Sequence, residues 1–398
     1  MTKLNYKKKL CIFTTSRADY GLLRTFIKLI KNNKKFNSFV IATASHLEKR
    51  SGFTFKEIER DGIKIFKKIN LNIKNDTPKA LSKSMATGII SFNKILEKIR
   101  PDIIVILGDR IELLPICYAA LLLNIPIAHF NGGESTEGST DEIIRHAVSK
   151  LSHIHFPANQ IYARRLVMMG ESPKKVFNVG GTSIDNIKNN KLLSKDELER
   201  FYGFKFQKKN FLITFHSATI NPYDSIRELK NLLNVLSRFS THGLIFTGTN
   251  IDIKSNSIRK LIKKFIKSNK KSIFIESMGS KNYISAMKLC NVIIGNSSSG
   301  ILEAPFFKKP VVNIGNRQKG RLKAINIISC NGNYNSIMNS INKCLNKNFV
   351  KSIQKLKNPY GNGNASIKAI KILEKISLDT ILEKKFYEKS KLYKRFLI

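Results

Sequence analysis

Short apolar runs alternate along the whole chain with longer amphipathic segments at helical spacing. The runs are rich in Ile, Val and Phe and nearly continuous, which is typical of strands buried on both faces of a parallel sheet. The strand candidates are KLCIFTTS, SFVIATAS, IKIFKKI, DIIVILGD, IPIAHFNGG, HIHFPA, VFNVGG, NFLITFHS, GLIFTGTN, SIFIES, NVIIGNSS and PVVNIG. The helix candidates between them include Tyr20–Asn32, Pro78–Ile99, Glu112–Asn124 and Tyr223–Ser240. This order predicts an α/β fold with helices on both faces of each sheet.

A polar stretch near residues 186–208 carries no strand-like run and separates two such series. A chain of 398 residues is long enough for two domains. We therefore predict two Rossmann-like domains, residues 1–185 and 186–364, followed by a C-terminal helix and basic tail over 365–398. The helix candidate Ala365–Ile376 is expected to return to the first domain, and LEKKFYEKSKLYKRFLI is expected to form a basic amphipathic helix.

The charge balance is unusual, with 70 Lys and Arg against 28 Asp and Glu and a formal net charge of +42. Such a field attracts nucleic acid, anionic membranes or polyanionic small molecules. Most of the excess is lysine scattered among Asn and Ile, a composition that an AT-rich genome produces without selection for a partner. No RNP, KH, zinc-finger or helix-turn-helix pattern is present, so no specific nucleic-acid partner is expected.

Targeting and metal signals are also weak. No apolar run reaches the roughly 18–20 residues that a membrane span needs, and MTKLNYKKKLCIFTTS is interpreted as a charged lead-in to the first strand rather than a signal peptide. The five cysteines are widely spaced and show no metal-binding spacing. We expect reduced cysteines, a cytoplasmic protein, and no metal or other cofactor.

Polar residues concentrate directly after the predicted strands, where parallel α/β folds bind their ligands. They are Arg17, Asp19, Asp109, Arg110, Glu112, His129, Glu134, Asp141, Arg145, His216, Asn250 and the motifs GNSSSGILE and NIGNRQKGR. Asp19 is equally suited to cap the first helix. The spacing of Asp141 and Arg145 is equally that of a stabilising pair on one helix face.

One of these strand ends, IIGNSSSGILEA at 293–304, predicts a phosphate-binding turn. The apolar run stops at Gly295 and is followed by Asn296, three serines and Gly300, with Glu303 one turn later. Small residues let a backbone approach a bulky ligand, and N–H groups at a helix start attract an anion.

Taken together, RADYG, GDRIE, HFNGGE, DEIIRHAVSKLSH, TFH, GNSSSGILEA and NIGNRQKGR resemble the UDP-N-acetylglucosamine 2-epimerase family. The resemblance runs from about Cys11 to Ala369 and is strongest to the hydrolysing branch that feeds sialic, legionaminic and related nonulosonic acid synthesis. It implies a GT-B-like fold, with two Rossmann-like domains facing a central cleft, and a homodimer. It also implies that a nucleotide-linked 2-acetamido sugar and water give the free 2-epimer and a nucleoside diphosphate.

The resemblance implies two sets of site residues. Positive and N–H groups hold the departing diphosphate, and acids and bases act on both faces of the sugar ring. The substrate-binding set is Arg17, Arg110, Asn250, Ser297, Ser298, Gly300, Glu303 and Arg317, with Glu303 on the ribose hydroxyls and Asn250 in the base pocket. The catalytic set is Asp109, Glu134, Asp141, Arg145 and His216, with Arg145 orienting a carboxylate and His216 on the diphosphate.

One position departs from the pattern. Non-hydrolysing relatives carry an acid two residues after the histidine of an HVEAG-like motif, whereas this chain has Asn131 there. An amide does not abstract a proton, so either Glu134 takes over or Asp109 and Asp141 share the work. Non-hydrolysing epimerisation and GT-B glycosyl transfer remain alternatives. The sugar is UDP-N-acetylglucosamine or a UDP- or GDP-linked 2,4-diacetamido-trideoxy sugar.

Overall fold

The computed structural model describes residues 6–72, 77–137, 140–189, 191–217, 222–248 and 255–388. The chain divides into two compact units. The first contains residues 1–134, 140–186 and 363–398, and the second contains 135–139 and 187–362. Within the described residues each unit is built on one six-stranded sheet.

The strands of the first unit are β1 (Lys8–Thr14), β2 (Phe36–Thr43), β3 (Ile65–Ile69), β4 (Ile103–Leu107), β5 (Ile127–Phe130) and β6 (Ile154–Phe156). Its helices are α1 (Arg17–Lys31), α2 (Phe55–Arg60), α3 (Pro78–Ile99), α4 (Leu113–Leu122), α5 (Thr140–Leu151), α6 (Gln160–Met168) and α7 (Thr182–Asn189), which runs on into the second unit.

The strands of the second unit are β7 (Asn210–Thr214), β8 (Gly243–Thr247), β9 (Ser272–Ile275), β10 (Val292–Gly295), β11 (Val311–Ile314) and β12 (Ile327–Cys330). Its helices are α8 (Lys195–Tyr202), α9 (Pro222–Leu236), α10 (Ser255–Lys267), α11 (Gly279–Leu289), α12 (Ser298–Leu302), α13 (Tyr334–Leu345) and α14 (Lys347–Ser352). The last helix, α15 (Ala365–Lys375), belongs to the first unit.

Both sheets have the same topology. The first has the order β3-β2-β1-β4-β5-β6 and the second the order β9-β8-β7-β10-β11-β12, and the paired strands are parallel throughout. This is the doubly wound Rossmann order. The first three strands extend the sheet to one side, and the fourth strand returns to pair with the first and extends the sheet to the other side. The switch points therefore lie at the carboxyl ends of β1 and β4, and of β7 and β10.

Alternate residues of the central strands enter hydrophobic clusters on opposite faces of the sheet. In β1, Leu10 and Ile12 belong to one cluster of the first unit, whereas Cys11 and Phe13 belong to the other. This burial on both faces explains the nearly continuous apolar runs in the sequence. The two Rossmann-like domains predicted from those runs are confirmed.

The C-terminal helix packs against the first unit, as predicted. The α15 helix contacts α1, and the buried Asp185 carboxylate accepts hydrogen bonds from the N–H groups of Ala365 and Ser366, at 2.9 and 2.6 Å. A carboxylate at these first free N–H groups stabilises the start of the helix.

Three element predictions are wrong. VFNVGG is not a strand, because Val176 makes only a single bridge to His155 and Gly180 then turns with a positive φ of 96°. The edge strand β12 was missed, since its residues are only partly buried and include Ser and Cys. The tail does not form the expected helix over residues 382–388, and its remainder lies outside the described residues. In the described part of the chain, no helix is both long and apolar enough to span a bilayer.

Candidate active site

In the first unit, the site candidates surround the end of β4. Arg145 on α5 is fully buried, and its Nε donates to Oδ2 of Asp109 at 3.0 Å, with a second bond from the guanidinium to the same oxygen. The guanidinium also donates to Glu142 at 2.7 Å and to the carbonyl of Glu134 at 3.2 Å. Arg145 therefore joins the start of α5, the loop after β5 and the end of β4.

Electrostatics favour this arrangement. Burial lowers the pKa of Arg145, while the charge of Asp109 and the hydrogen bonds to it raise that pKa, and the net shift is upward. A buried guanidinium is costly unless carboxylates and carbonyls satisfy its donors. The Asp109 side chain remains about one quarter exposed, so the buried cation orients a carboxylate that solvent reaches.

His129 fixes the backbone just before Asp109. Its imidazole is fully buried, and Nε2 lies 2.7 Å from the carbonyl oxygen of Gly108. Desolvation lowers the pKa of His129 to about 4, so the ring is neutral near pH 7. Because a carbonyl only accepts, Nε2 carries the proton. Gly108 has a φ of 90°, and His129 holds this left-handed peptide in place.

Arg110 and Glu112 form a local pair rather than a pair with Asp109. The guanidinium of Arg110 donates to the two carboxylate oxygens of Glu112, at 3.1 and 2.9 Å. Burial lowers the pKa of Arg110, but the charge of the buried Glu112 and the hydrogen bonds outweigh this effect and raise the pKa. About half of the Arg110 side chain stays exposed, so it can reach a ligand.

The loop after β1 is ordered by Asp19. The Asp19 carboxylate accepts from the N–H groups of Thr15 and Ser16, at 2.8 and 3.0 Å, and forms a capping box with Ser16 at the start of α1. The capping interpretation of Asp19 is therefore confirmed. Arg17 is the first residue of this helix and its side chain is exposed.

Glu134 and Asp141 lie in different surroundings. Glu134 is buried, and its main-chain carbonyl accepts from Arg145. Asp141 is exposed on the first turn of α5, and its charge contributes to the raised pKa of Arg110. Asn131, at the position of the missing acid, follows β5 with a φ of 62°.

In the second unit, Asn296 connects the two strand ends of the switch point. Its Oδ1 accepts from the N–H of His216 at 2.7 Å, and its Nδ2 donates to the carbonyl of His216 at 2.8 Å. The carbonyl of Asn296 accepts from Arg317 at 3.1 Å and from the buried Gln318 at 2.9 Å. His216, Arg317 and the turn after β10 are thereby held together.

The His216 ring is neutral near pH 7. Desolvation and the nearby charge of Arg317 lower its pKa to about 3. His216 is therefore suited to donate a hydrogen bond from a neutral imidazole, and Arg317 carries the positive charge in this set.

The predicted phosphate turn, residues 295–300, contains glycines that are buried and serines that are partly exposed. Gly295 has a φ of 134°, and a side chain there would collide with the carbonyl of Thr214. A side chain at Gly300 would press against Val311 at 3.2 Å, so both glycines serve packing within the unit. The Ser297 and Ser298 side chains stay partly exposed, and Ser297 caps α12.

A chain of hydroxyl groups connects this turn to α11 and to the end of β7. Ser297 Oγ lies 3.0 Å from Ser299 Oγ, which lies 2.6 Å from the Tyr283 hydroxyl. Tyr283 also reaches Thr214 at 3.3 Å. Burial raises the pKa of Tyr283 to about 12, so this hydroxyl stays protonated and can donate to the network.

Glu303 follows α12 as its C-cap and is partly buried. Desolvation raises its pKa to about 7, which distinguishes it from an ordinary surface glutamate. Asn250, predicted for the base pocket, lies outside the described residues.

Several residues of this arrangement were not predicted as site residues from the sequence. His129 was noted only as a residue at a strand end. Glu142 was not singled out, because Asp141 was assigned as the acid on this helix. The hydrogen bonds by which Asn296 connects two loops were not predicted. The i,i+3 spacing of Glu142 and Arg145 could have indicated that these two side chains form an ion pair. Among the described residues, no group of three or more His, Cys, Asp or Glu side chains could hold a metal ion.

Comparison with known proteins decides the family. Residues 28–374 match the model of a family described as UDP-N-acetylglucosamine 2-epimerase. The chain belongs to the UDP-N-acetylglucosamine 2-epimerase family.

Within this epimerase family, the similarity favours the hydrolysing branch. The chain is 41% identical over 384 residues to a GDP/UDP-N,N'-diacetylbacillosamine 2-epimerase (hydrolyzing) of Campylobacter jejuni, covering 96% of this chain and 99% of that protein. It is 33% identical over 371 residues to a UDP-N,N'-diacetylbacillosamine 2-epimerase (hydrolyzing) of Legionella pneumophila, covering 93% and 97%. The predicted membership of the hydrolysing branch is confirmed.

Solved structures of this epimerase family share the fold. A UDP-GlcNAc 2-epimerase from Neisseria meningitidis, solved with UDP-GlcNAc bound, superposes with a TM-score of 0.81 at 22% identity. The match covers 93% of this chain and all of that one. The predicted GT-B-like pair of Rossmann-like domains is therefore confirmed at the level of fold.

Proposed function

We propose that this chain is a hydrolysing 2-epimerase of a nucleotide-linked 2,4-diacetamido-trideoxy sugar, N,N'-diacetylbacillosamine carried on UDP or GDP. The products are the free 2-epimeric sugar and a nucleoside diphosphate. The observation that carries the chemistry is the partly exposed Asp109, oriented at the end of β4 by the buried Arg145. The sugar is proposed from the names of the Campylobacter and Legionella relatives.

The first step breaks the bond between C1 of the sugar and the diphosphate oxygen. Its electron pair leaves with the diphosphate, and C1 becomes oxocarbenium-like. The developing anion would be bound by the N–H and hydroxyl groups of Ser297 and Ser298, by Arg317 and by neutral His216. Because α12 has only five residues, Arg317 rather than a helix dipole supplies most of the charge. Arg17 and Arg110 remain proposed substrate-binding residues, and both side chains reach solvent.

The second step removes the proton from C2. This proton becomes acidic only when C1 is electron-poor, and its loss gives a 2-acetamidoglycal. We assign Asp109 as the base, because its Oδ2 is held by Arg145 and Oδ1 is the oxygen left to take the proton. Water then adds its hydroxyl to C1, and a proton returns to C2 from the opposite face. Glu134 is proposed as the donor, with exposed Asp141 as the alternative.

Glu303 is proposed to bind the ribose hydroxyls of the nucleotide. The ionised carboxylate is a pure acceptor and binds two hydroxyl donors more strongly than the neutral acid does. Since the pKa of Glu303 is raised to about 7, the hydroxyl donors would favour its ionised form on binding. Asn250 remains a proposed contact to the base.

The substrate assignment is tested by incubating the chain separately with UDP- and GDP-linked N,N'-diacetylbacillosamine and with UDP-N-acetylglucosamine. We expect free 2-epimer and nucleoside diphosphate in equal amounts, with the highest kcat/KM for a diacetamido sugar. A higher kcat/KM for UDP-N-acetylglucosamine would overturn the sugar assignment. A nucleotide-bound epimer would indicate non-hydrolysing epimerisation, and transfer that requires an added acceptor would indicate a glycosyltransferase.

We also propose that the chain forms a homodimer through α3 and α4. These neighbouring helices carry Ile90, Tyr118, Leu121 and Leu122 with 72%, 47%, 47% and 55% of their surfaces exposed. Apolar surface of this kind on a stable protein is typical of an interface. Leu122→Glu should convert a dimer into a monomer in sedimentation velocity; a monomeric wild-type chain would contradict the proposal.

A further inference from the structure

The C-terminal segment, residues 377–388, crosses the first unit beyond the range that the family model matches. Three side chains attach it. Ile381 is 5% exposed and joins the core around β1. Phe386 covers Gly170, where any side chain would collide with its ring, and the N–H of Tyr387 donates to the Gly170 carbonyl at 2.9 Å. The third anchor is Lys384.

Lys384 closes the C-terminal end of α5. Its ammonium donates to the carbonyl of Lys150 and, at 2.6 Å, to that of Ser152, and it lies 3.5 Å from the carbonyl of Ser149. The last carbonyls of a helix have no partner within the helix, and a cation there also complements the helix dipole. Lys384 thus satisfies the free end of this helix from a distant part of the chain.

A buried carboxylate fixes Lys384 in this position. Glu171 is 2% exposed and accepts from Lys384 at 2.8 Å, from Lys150 at 2.7 Å and from His155 at 2.9 Å. Desolvation raises the pKa of Glu171, but these three donors outweigh it and bring the pKa to about 2. The carboxylate is therefore ionised at neutral pH and holds the ammonium against the helix end.

The same helix end is connected to Asp109. Ser149 donates its hydroxyl to the carbonyl of Arg145 at 2.8 Å, and its oxygen lies 3.3 Å from Nδ1 of His129. Arg145 and His129 are the side chains that fix Asp109 and the peptide before it. The helix end held by Lys384 is therefore one turn from Arg145.

We infer that Lys384 is a positioning residue for the reaction, because it holds α5 in the register that places Arg145 on Asp109. The inference rests on the proposed function and extends it to a segment outside the matched family range. A small shift of α5 would move the Asp109 carboxylate relative to C2 of the sugar. A displacement of about 1 Å in a reacting group costs roughly 100-fold in rate, so a partial shift is expected to cost about tenfold.

The test compares Lys384→Met with two controls in the full chain. Lys8 is a matched control, because its ammonium caps the carbonyl end of α15, at 2.9, 3.2 and 2.7 Å from the carbonyls of Leu373, Glu374 and Ile376. Lys385→Met removes an exposed neighbouring charge.

Lys384→Met should lower kcat about tenfold with little change in KM, and Lys384→Arg should restore most of the loss. Lys8→Met and Lys385→Met should leave kcat unchanged, and an equal loss of kcat in Lys8→Met would mean that helix capping acts only through stability.

A double-mutant cycle separates positioning from general destabilisation. If Lys384 acts through Arg145, Lys384→Met should add little to the loss in an Arg145→Lys background. Losses that multiply, or a kcat within twofold of wild type, would overturn the inference. Should Lys384→Met fail to fold, Lys384→Gln, which removes the charge and keeps a polar side chain of similar length, takes its place with the same expectations.

Hydrogen exchange makes the result independent of the assigned activity. Amides in the last two turns of α5 should exchange faster in Lys384→Met than in Lys8→Met. Unchanged exchange there would refute the positioning role even if the wild-type chain processed no sugar nucleotide. Faster exchange in a wild-type-inactive protein would instead reject the proposed function alone.

Discussion

At the scale of single residues, the chemistry depends on how Asp109 is held. Two bonds from Arg145 converge on one oxygen, and His129 holds the preceding peptide. A carboxylate so fixed needs little reorganisation to meet a proton at C2, which is how positioned groups accelerate proton transfer.

Asp109→Asn should lower kcat by at least about 100-fold, because an amide cannot accept the C2 proton. The affinity for the nucleoside diphosphate should change little, since that ligand is assigned to other residues. Steady-state kinetics and calorimetric binding of UDP and GDP measure the two effects. Asp102→Asn is the control, because Asp102 precedes the same strand at its opposite end and bonds to Tyr6. Wild-type turnover in Asp109→Asn would remove Asp109 from the mechanism.

At the scale of elements, Asn296 holds together the loops that follow β7, β10 and β11. The side chain of Asn296 pairs with the His216 backbone, and its carbonyl binds Arg317 and Gln318. The turn, the neutral imidazole and the guanidinium are therefore placed together before a ligand arrives, which reduces the cost of ordering them on binding.

Arg317→Met should weaken binding of UDP and GDP by about 10- to 100-fold, the value of one lost charge-assisted hydrogen bond. Binding of the nucleoside without phosphates should not change, because only the diphosphate is assigned to Arg317. Lys319→Met, two residues away and exposed, is the matched control. Equal weakening of the nucleoside and the diphosphate would show that Arg317 supports the pocket instead of binding the anion.

The predictions from sequence succeeded where burial leaves a continuous signal and failed where contacts are long-range. The strands β1 to β11 and the helix Pro78–Ile99 followed from apolar periodicity. The pairing of Arg145 with Asp109 did not, because Asp109 lies 36 positions away, just after β4, while helix spacing offered Asp141. Asn296 was missed because an amide that joins two loops has no distinctive sequence pattern. The glycines of the turn were attributed to ligand approach, and packing against Thr214 and Val311 also favours small residues at these positions.

At the scale of the whole molecule, buried neutral histidines make stability depend on pH. His129 and His216 have folded pKa values of about 4 and about 3, below the value of about 6.5 expected in the unfolded chain. Their contribution is fully present above pH 6.5 and is lost as the pH falls. Burial also lowers the pKa of His46 and His155, whereas the raised pKa of Glu303 acts in the opposite sense.

The free energy of unfolding should therefore fall between pH 6.5 and 5, by up to about 1.4 kcal/mol per pH unit each for His129 and His216. The ion pairs of Glu171 do not contribute in this range, because its pKa of about 2 matters only below its ordinary value of 4.5. Urea unfolding at pH 7.5, 6.5, 5.8 and 5.0 measures the slope. Stability that stays constant or rises toward pH 5 would show that these rings are not held neutral.

The central claim is that the diphosphate leaves before a carboxylate exchanges the hydrogen at C2, with water ending on C1. Incubation of the chain with UDP-linked N,N'-diacetylbacillosamine in heavy water tests it most directly, with mass spectrometry and NMR of the sugar product. The account predicts a free 2-epimer with one deuterium at C2 and an equal amount of UDP. A free sugar that retains its original hydrogen at C2, or a sugar still attached to the nucleotide, would contradict it.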